Sequence, residues 1–441
     1  MSGTSVSGKI ISTVKPSGGG NFTTLALWED WADADPLSTG HAGYWAECYK
    51  GGNLGAVDVT GWSVAATADK HPKIYVADGE GHGGDPTDGA YIQSSSSTAI
   101  KSTGGVEGLW VDGLRIDVTS ISYKVVDMAT DSGASTGVLY QTIENCYAHS
   151  TNAGFFSGFW CGTLITDNGA VTKNVVIRNN IVEHEWGNSN MLKGFAIAVA
   201  AATLSGSTAS VTNAWIHNNT VVSRSADTDD HAKGIAWFDT AGKTLNLYLE
   251  NNYLSMEDAS SGGLNAFPSV SFGGTLNVIP RNNAQDDSTN IAGGGLNDVS
   301  YGAHVTIIGA TQANQFNDRA SGDYSLKSTS VLRGSGKVPT SYGLSYLSEA
   351  TTDVLGNPRV QFGTWDIGAY EYLEEAALTG GDVIQEILID EARSQGGISV
   401  FSGGIFQKRD DNQPTPIQHQ IDILNDRFVE SQRANHEDVH G

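Results

Sequence analysis

A short phrase recurs along the middle of the chain and limits its fold more than any other feature. The phrase is an apolar residue, one variable residue and then Asn-Asn, as in Ile177-Arg-Asn-Asn180. Three full copies and three weaker relatives have their first polar residue at Asp112, Asn145, Asn179, Asn218, Asn251 and Asn282. The successive steps are 33, 34, 39, 33 and 31 residues. A near-constant period of this length indicates a repeat architecture.

The segments beside the repeated phrase have the composition of β-strands. Residues 174–177, 213–216 and 244–249 are rich in Val, Ile, Leu and aromatic residues, which is typical of strands. No clear helical period separates the copies, which argues against helical repeats. The fixed leucines of leucine-rich repeats and the sequence marks of propeller blades are missing as well. The sequence therefore predicts an all-β, right-handed parallel β-helix.

The recurring Asn residues have a physical role in such a solenoid. One corner residue of each coil often needs the left-handed backbone conformation, which Asn tolerates better than most residues. Stacked coils place equivalent side chains above one another, where amides can form a hydrogen-bonded ladder. Independent turns are the simpler alternative. We predict a structural ladder at the first Asn of each pair, namely Asn145, Asn179, Asn218, Asn251 and Asn282.

Composition excludes several classes of function. The chain has 25 Lys and Arg against 49 Asp and Glu, a net charge of −24, which should repel nucleic acid and anionic membranes. Its 3 cysteines form neither a disulfide framework nor a zinc spacing. No signal peptide and no membrane-spanning stretch is visible. We therefore expect synthesis in the cytoplasm, no membrane insertion and no nucleic-acid partner.

The chain is predicted to have three parts. Residues 1–43 would form a first strand and a short helix that closes the end of the solenoid. Thr23 or Thr24 would cap this helix, and Leu25, Trp28 and Ala32 would form its apolar face. Residues 44–372 would form the parallel β-helix, with long insertions at 186–210 and 223–233. Residues 373–441 would form a separate attachment or oligomerisation tail.

The sequence pattern of the tail differs from that of the predicted solenoid, because it includes helix-type segments. Residues 382–393 predict a helix and residues 398–407 a short hairpin, and Pro414 and Pro416 introduce a second helix. The second helix carries apolar residues in heptad-like steps at Ile417, Ile421, Leu424 and Phe428. Such a seam is typical of helices that associate, although packing back onto the solenoid is an equal alternative.

Two phrases near the ends of the solenoid resemble a known family. The first is Lys15-Pro-Ser-Gly-Gly-Gly-Asn-Phe-Thr-Thr-Leu. The second is Asp353-Val-Leu-Gly-Asn-Pro-Arg359 with Trp365-Asp-Ile-Gly-Ala-Tyr-Glu371. Over residues 8–372 the chain resembles choice-of-anchor-type right-handed β-helix structural proteins of tailed bacteriophages. The resemblance implies a virion component and a homotrimer, but it implies no particular activity.

Many β-helix proteins cleave polysaccharides, so clustered carboxylates are candidate catalytic groups. The candidates are Glu183, Glu185, Asp229 and Asp239. Glycoside hydrolysis needs two carboxylates across one bond, and equivalent positions of adjacent coils lie about 5 Å apart. Val222 and Ser255 occupy the positions equivalent to Glu183, so no second carboxylate stacks on it. We therefore expect the four carboxylates to be surface groups without a catalytic role.

Three acidic residues are candidate metal ligands: Asp227, Asp229 and Asp230. Their spacing lacks the Gly and the terminal Glu of a calcium-binding EF-hand loop, and charge runs of this kind are usually solvated. No Gly-rich phosphate-binding loop or nucleophile motif is visible. We therefore predict no bound metal and no cofactor.

These observations favour a non-catalytic structural or adhesion protein of a phage virion, in its tail, fibre or capsid surface. Its expected partners are other virion proteins, its own copies and a host surface glycan. The first alternative is a tailspike-like polysaccharide lyase or glycoside hydrolase that uses the face between Glu183 and Asp239. The second is a bacterial surface adhesin, which the missing signal and anchor disfavour.

Overall fold

The structure is a computed structural model. It describes residues 4–6, 9–34, 43–60, 71–102, 108–119, 124–130, 138–152, 158–166, 172–186, 196–201, 203–205, 210–225, 234–258, 269–285, 305–306, 314–344, 347–349, 351–359, 364–373, 399–401 and 405–407. The chain divides into two compact units, Met1–Leu373 and Glu374–Gly441.

The first unit contains three long sheets, and their strands are numbered in chain order. Sheet 1 contains β1 Thr4–Val6, β2 Lys9–Val14, β3 Gly43–Cys48, β5 Lys73–Val76, β8 Gly108–Asp112, β11 Val138–Glu144, β14 Thr172–Arg178, β18 Ser210–His217, β21 Lys243–Glu250 and β24 Thr275–Arg281. Sheet 2 contains β6 Tyr91–Ser94, β9 Arg115–Val118, β12 Tyr147–Asn152, β15 Ile181–Trp186, β19 Thr220–Ser225, β22 Tyr253–Asp258, β25 Ala284–Gln285 and β26 Val305–Thr306. Sheet 3 contains β4 Val57–Val59, β7 Ile100–Ser102, β10 Val126–Thr130, β13 Phe159–Thr166, β16 Ile197–Ala201, β17 Thr203–Ser205, β20 Ile235–Thr240 and β23 Ser269–Phe272.

The chain visits the three sheets in a repeating order. From β8 to β25 it passes through sheet 1, sheet 2 and sheet 3 in turn, and each return to sheet 1 is one strand further along. Equivalent residues of successive circuits are neighbours, so Ile177 of β14 lies between Ile143 and Ile216. All strand pairs in these sheets are parallel except β1 with β2. The predicted mostly β fold with parallel strands is confirmed, and it is compatible with a parallel solenoid.

The core is formed by the inward-facing residues of each strand. Successive side chains of a strand point to opposite faces, and β21 accordingly alternates buried and half-buried positions. The apolar residue of the repeated phrase points inward at Ile143, Ile177, Ile216 and Leu249, which are all buried. The three free cysteines are buried as well. Burial raises the pKa of each thiol, so they are inert packing groups rather than nucleophiles.

The predicted N-terminal helix is present as α1, Leu25–Ala34. Leu25, Trp28 and Ala32 are buried, as the spacing predicted. Thr24 Oγ1 accepts a hydrogen bond from the Leu27 amide at 3.3 Å, which is the arrangement of an N-terminal cap. The helix packs on β4, the edge strand of sheet 3, and so covers the end of the stacked sheets at which the chain begins.

The parallel strands cover a different part of the chain from the predicted 44–372. Strand β2 already pairs in parallel with β3, and the last parallel strand of the described residues is β26. Residues 314–373, which we call the strap, contain one antiparallel pair, β27 Phe316–Asp318 and β28 Asp323–Leu326, joined by a 3-10 helix at Arg319–Ser321. The closing phrase of the sequence therefore belongs to a returning segment rather than to further coils.

The strap runs along the outside of sheets 1 and 2. Ser335 O accepts a hydrogen bond from Asn282 Nδ2 at 2.8 Å, Lys337 O from Asn251 Nδ2 at 2.6 Å and Thr352 O from Asn179 Nδ2 at 2.9 Å. On sheet 2 its apolar residues cover outward-facing side chains of the strands. The resulting cluster includes Tyr147, Ile181, Val222, Tyr253, Phe316, Tyr324, Leu332, Ile367 and Tyr370.

In the second unit, β29 Ser399–Phe401 and β30 Ile405–Gln407 form the predicted hairpin. The predicted helices of the tail, and the seam Ile417, Ile421, Leu424 and Phe428, lie outside the described residues. No helix in the described part of the chain is both long and apolar enough to cross a bilayer.

The first Asn of each pair turns the corner between sheet 1 and sheet 2. The five residues with this role have φ between 49 and 56°: Asn145, Asn179, Asn218, Asn251 and Asn282. In the earliest copy Gly113 takes this place with φ 78°, because Asp112 pairs with Glu144. The alignment of Asp112 with the Asn residues was therefore wrong by one position.

The continuous amide ladder is formed by the second Asn of each pair, one residue beyond the predicted position. Nδ2 donates to Oδ1 of the next side chain from Asn180 to Asn219 at 3.0 Å, and from Asn219 to Asn252 and Asn252 to Asn283 at 2.9 Å. These side chains are buried. In the column of first Asn residues, the described residues show one amide-to-amide bond, from Asn179 to Asn145 at 3.3 Å. Asn179, Asn251 and Asn282 of this column donate to strap carbonyls, so these three residues anchor the strap.

Candidate functional site

The variable residue of the repeated phrase forms a column of ionisable side chains on the outer face of sheet 1. Strand register places them side by side in the order Asp112, Glu144, Arg178, His217, Glu250 and Arg281. Neighbouring strands lie about 4.8 Å apart, so each group interacts with the next. The four central members are buried, and strap residues contact Arg178, His217 and Glu250.

An ion pair lies at the centre of this column. Arg178 Nε donates to Glu144 Oε2 at 2.6 Å, and Nη2 of the same guanidinium lies 2.6 Å from that oxygen. Trp110 Nε1 donates to the other carboxylate oxygen at 2.8 Å. Burial raises the pKa of Glu144, and the Asp112 charge adds to this shift while Arg178 opposes it. Both carboxylate oxygens are occupied by structural contacts.

Tyr342 of the strap joins this ion pair to His217. Its hydroxyl accepts from Arg178 Nη1 at 3.2 Å and donates to His217 Nε2. His217 Nδ1 in turn donates to Asn218 Oδ1 at 2.8 Å, which assigns the neutral tautomer with its proton on Nδ1. Burial, with a smaller effect of the Arg178 charge, lowers the pKa of His217 to about 3. Protonation would place a second buried cation beside Arg178.

Replacing His217 with Gln is expected to reduce the acid sensitivity of the fold. The unfolded histidine has a pKa of about 6.5 and the folded one about 3. The neutral side chain therefore contributes stability above pH 6.5 that is lost as pH falls toward 3. The difference between wild type and His217→Gln should change by up to about 1.4 kcal/mol per pH unit in that window. Urea unfolding at pH 7, 6, 5 and 4 measures it.

His149 provides the matched control, because its hydrogen bond to Asp117 raises its pKa against the opposing effect of burial. Its contribution has the opposite sign: it is present below the unfolded pKa and is lost as pH rises through the folded one. A pH-independent difference between wild type and His217→Gln would show that His217 is not neutral and buried.

The closing phrase of the sequence forms a second buried ionic cluster within the strap. Arg359 is fully buried, and burial lowers the pKa of its guanidinium to about 10. Its Nη2 donates to Asn179 Oδ1 at 2.9 Å, and its Nε donates to Thr352 O at 3.1 Å. Its Nη1 lies 3.6 Å from Glu371 Oε2. Arg359 thus ties the strap to a corner residue of the coils.

The acidic residues of that phrase bind backbone amides of the strap. Asp353 Oδ2 accepts from the Glu371 amide at 3.0 Å, and Asp366 Oδ2 accepts from the Tyr372 amide at 2.6 Å. Burial, with the nearby Asp366 charge, raises the pKa of Glu371 to about 8. Burial also raises the pKa of Asp366. The acidic residues of the closing phrase therefore stabilise its own turns and have a structural role.

Among the candidate carboxylates, Glu183 is buried on sheet 2 rather than exposed as expected. The Tyr324 hydroxyl of the strap donates to Glu183 Oε1. Burial raises the pKa of Tyr147, and the charge of Glu183 and a hydrogen bond to it add to this shift. The register places His149 and then Asp117 beside Glu183. His149 Nδ1 lies 3.2 Å from Asp117 Oδ1. The sequence gives no sign of this partly buried Asp–His–Glu row, because successive members are separated by more than thirty residues.

Replacing Glu183 with Ala is expected to lower the free energy of unfolding by about 1–3 kcal/mol, because buried tyrosine hydroxyls would lose their acceptor. The Glu185→Ala change, two residues along the same strand and only half-buried, should change it by no more than about 0.5 kcal/mol. Urea unfolding of both variants compares them directly. If both variants lowered the free energy of unfolding by the same small amount, Glu183 would behave as the surface residue that the sequence predicted.

Among the remaining candidate catalytic residues, only Glu185 lies in the same strand as Glu183. Asp239 lies in β20 of sheet 3, whereas Glu183 lies in β15 of sheet 2. Asp229 lies outside the described residues, as do the candidate metal ligands Asp227 and Asp230. In the part of the chain that the structure describes, no three His, Cys, Asp or Glu side chains are grouped to hold a metal ion.

A serine–histidine contact inside sheet 2 also belongs to the core. Ser150 Oγ lies 2.7 Å from His184 Nδ1. Both side chains are buried, and burial lowers the pKa of His184 to about 3. A nucleophile must be reachable by its substrate, so this pair is a structural hydrogen bond.

Comparison with known proteins adds no family to this description. The chain matches no protein-family model and no curated protein.

Proposed function

We propose that the chain is a non-catalytic structural and adhesion protein of a bacteriophage virion, in the tail, a fibre or the capsid surface. We further propose that its three sheets form a right-handed parallel β-helix. The cyclic order of the strands supports this architecture, and parallel crossover connections are right-handed in nearly all proteins.

The observation that supports the non-catalytic role is that the buried ionisable side chains pair with each other or with the strap. Glu144 and Arg178 pair with each other, Glu250 accepts from Thr340 of the strap at 2.6 and 2.7 Å, and Glu183 accepts from Tyr324. A catalytic pair needs acid and base groups that converge on an open groove. These groups instead hold a strap against stacked strands, which suits a protein that must stay rigid.

The test of location is the composition of the virion. Mass spectrometry of density-gradient-purified particles of the phage that carries the gene should detect the chain in a fixed ratio to the major tail or capsid protein. Detection only in the envelope of a bacterium would favour the surface adhesin.

We also propose that the protein forms a homotrimer through residues 373–441. The apolar seam Ile417, Ile421, Leu424 and Phe428 supports this proposal, because its steps suit helix association. Light scattering of the full chain and of a chain ending at residue 372 should give three times the mass of one chain and a single chain mass, respectively. A monomeric full chain would remove the argument.

A polysaccharide-cleaving tailspike is the second candidate, and the row Asp117, His149 and Glu183 is the observation that favours it. His149 is oriented by Asp117 at 3.2 Å, as an acid–base histidine would be. A reducing-end assay on the polysaccharide of the host separates the two functions. Release of new reducing ends by the wild type, and none by His149→Gln, would replace the structural role with an enzymatic one.

A further inference from the structure

A second amide ladder lies on the outer face of sheet 1. Asn213 Nδ2 donates to Asn174 Oδ1 at 3.1 Å, Asn246 Nδ2 to Asn213 Oδ1 at 2.8 Å, and Asn277 Nδ2 to Asn246 Oδ1 at 2.8 Å. The buried ladder described above braces the interior, whereas this one opens toward solvent. Asn213 and Asn246 are half-buried and Asn277 is exposed.

A parallel column of small uncharged residues borders the ladder. The outward residue two positions before each Asn is Thr172, Val211, Thr244 or Thr275. We call the eight residues of the two columns the uncharged strip. These eight adjacent outward positions carry no charged side chain. A partner of this strip needs no ionic groups.

The strap forms a wall along the other side of the ladder. Trp215 and Tyr248 stack at 5.4 Å with an interplanar angle of 5°, and Leu344 and Leu347 of the strap pack with this aromatic pair. Trp215 is buried, and Tyr248 is half-buried. The uncharged strip therefore runs across the strands of sheet 1, and the apolar residues of the strap and the aromatic pair lie along one of its sides.

We propose that the uncharged strip binds a neutral polysaccharide chain that lies along the stack of strands. An Asn amide has two donor hydrogens and two acceptor lone pairs, and the ladder uses one donor and one acceptor of the central residues. The others can pair with sugar hydroxyls, and they repeat every strand, about 4.8 Å apart. The net charge of −24 opposes an anionic polymer. This inference rests on the proposed adhesive role and names its ligand class.

Affinity electrophoresis of the full chain tests the proposal. Native gels that contain hydroxyethyl cellulose, galactomannan or dextran should retard the wild type in at least one case. Asn246→Asp removes the amide donors and adds a charge at the centre of the strip, and Thr275→Lys adds a long cation without touching the ladder. Each should raise the dissociation constant at least about tenfold. The control Asn317→Asp adds the same charge at an exposed Asn of the strap and should bind like the wild type.

Two results would overturn the proposal: no retardation of the wild type by any of the three polymers, or unchanged binding by both strip variants. A change in oligomer mass caused by Thr275→Lys, without glycan binding by the wild type, would instead assign the strip to a second copy of the chain. The virion test is independent. A chain found in virions that fails to bind neutral polymers loses this inference alone.

Discussion

Replacing Arg359 with Met is expected to lower the free energy of unfolding by about 3–5 kcal/mol, the largest effect of any single change considered. The guanidinium is fully buried, and its Nη2 donates to Asn179 Oδ1 and to Gly368 O and Ala369 O at 2.9–3.1 Å. Met fills most of its volume but leaves these acceptors unpaired. It also removes the cation nearest to Glu371.

Urea unfolding followed by tryptophan fluorescence measures this loss, and hydrogen exchange locates it. We expect residues 351–372 to exchange first, because Arg359 joins them to the corner at Asn179. Lys337→Met is the matched control, since it removes an exposed cation from the same strap and should change stability little. A loss below about 1 kcal/mol for Arg359→Met would show that apolar packing, rather than this cation, holds the strap.

Replacing Asn219 with Leu should be nearly as severe, at about 3 kcal/mol or more, because several buried groups lose their partners together. Its Nδ2 donates to Ile177 O at 2.9 Å and to Asn252 Oδ1 at 2.9 Å. Its Oδ1 accepts from the backbone and side-chain nitrogens of Asn180 at 3.1 and 3.0 Å. Leu can replace none of these bonds.

The outer ladder offers a matched control for that experiment. Asn246→Leu removes an amide with the same stacking geometry but at a half-buried position, where water can replace the lost partners. We expect about 1 kcal/mol or less. If thermal or urea unfolding gave equal losses for the two variants, burial of the inner ladder would not be the source of its effect.

The class of fold was predictable because backbone requirements leave direct marks in a sequence. A left-handed corner selects Asn in five successive copies of the phrase, and the β-type runs beside it indicate strands, so the spacing predicted the parallel strands. The ladder was assigned to the wrong Asn because both members of each pair are the same residue type. Only the structure distinguishes the corner at Asn218 from the buried amide at Asn219.

The candidate site was less predictable, because its ionisable residues contact the strap, which is distant in the sequence. Position by position, the variable residue of the phrase has no pattern: Glu144, Arg178, His217 and Glu250 differ in charge and shape. Three of them contact strap residues: Tyr342 contacts both Arg178 and His217, and Thr340 contacts Glu250. Glu183 was placed on the surface for the same reason, since Tyr324 lies 141 residues away. A signal was available: ionisable residues at one fixed offset from a corner imply a shared environment.

The position of the strap near the end of the first unit also determines the order in which parts of the protein can fold during synthesis. From β8 onward, each new strand of the three sheets pairs in parallel with the equivalent strand made one circuit earlier, so the stack can grow while the chain leaves the ribosome. Arg359 and Asn179 are 180 residues apart, and Tyr342 and Arg178 are 164 apart. These closures must wait until nearly all of the first unit has been synthesised. Until then the ionisable column is hydrated and the outer aromatic residues are uncovered. Newly made protein should therefore become resistant to proteases in two phases, first in the three stacked sheets and later in the strap.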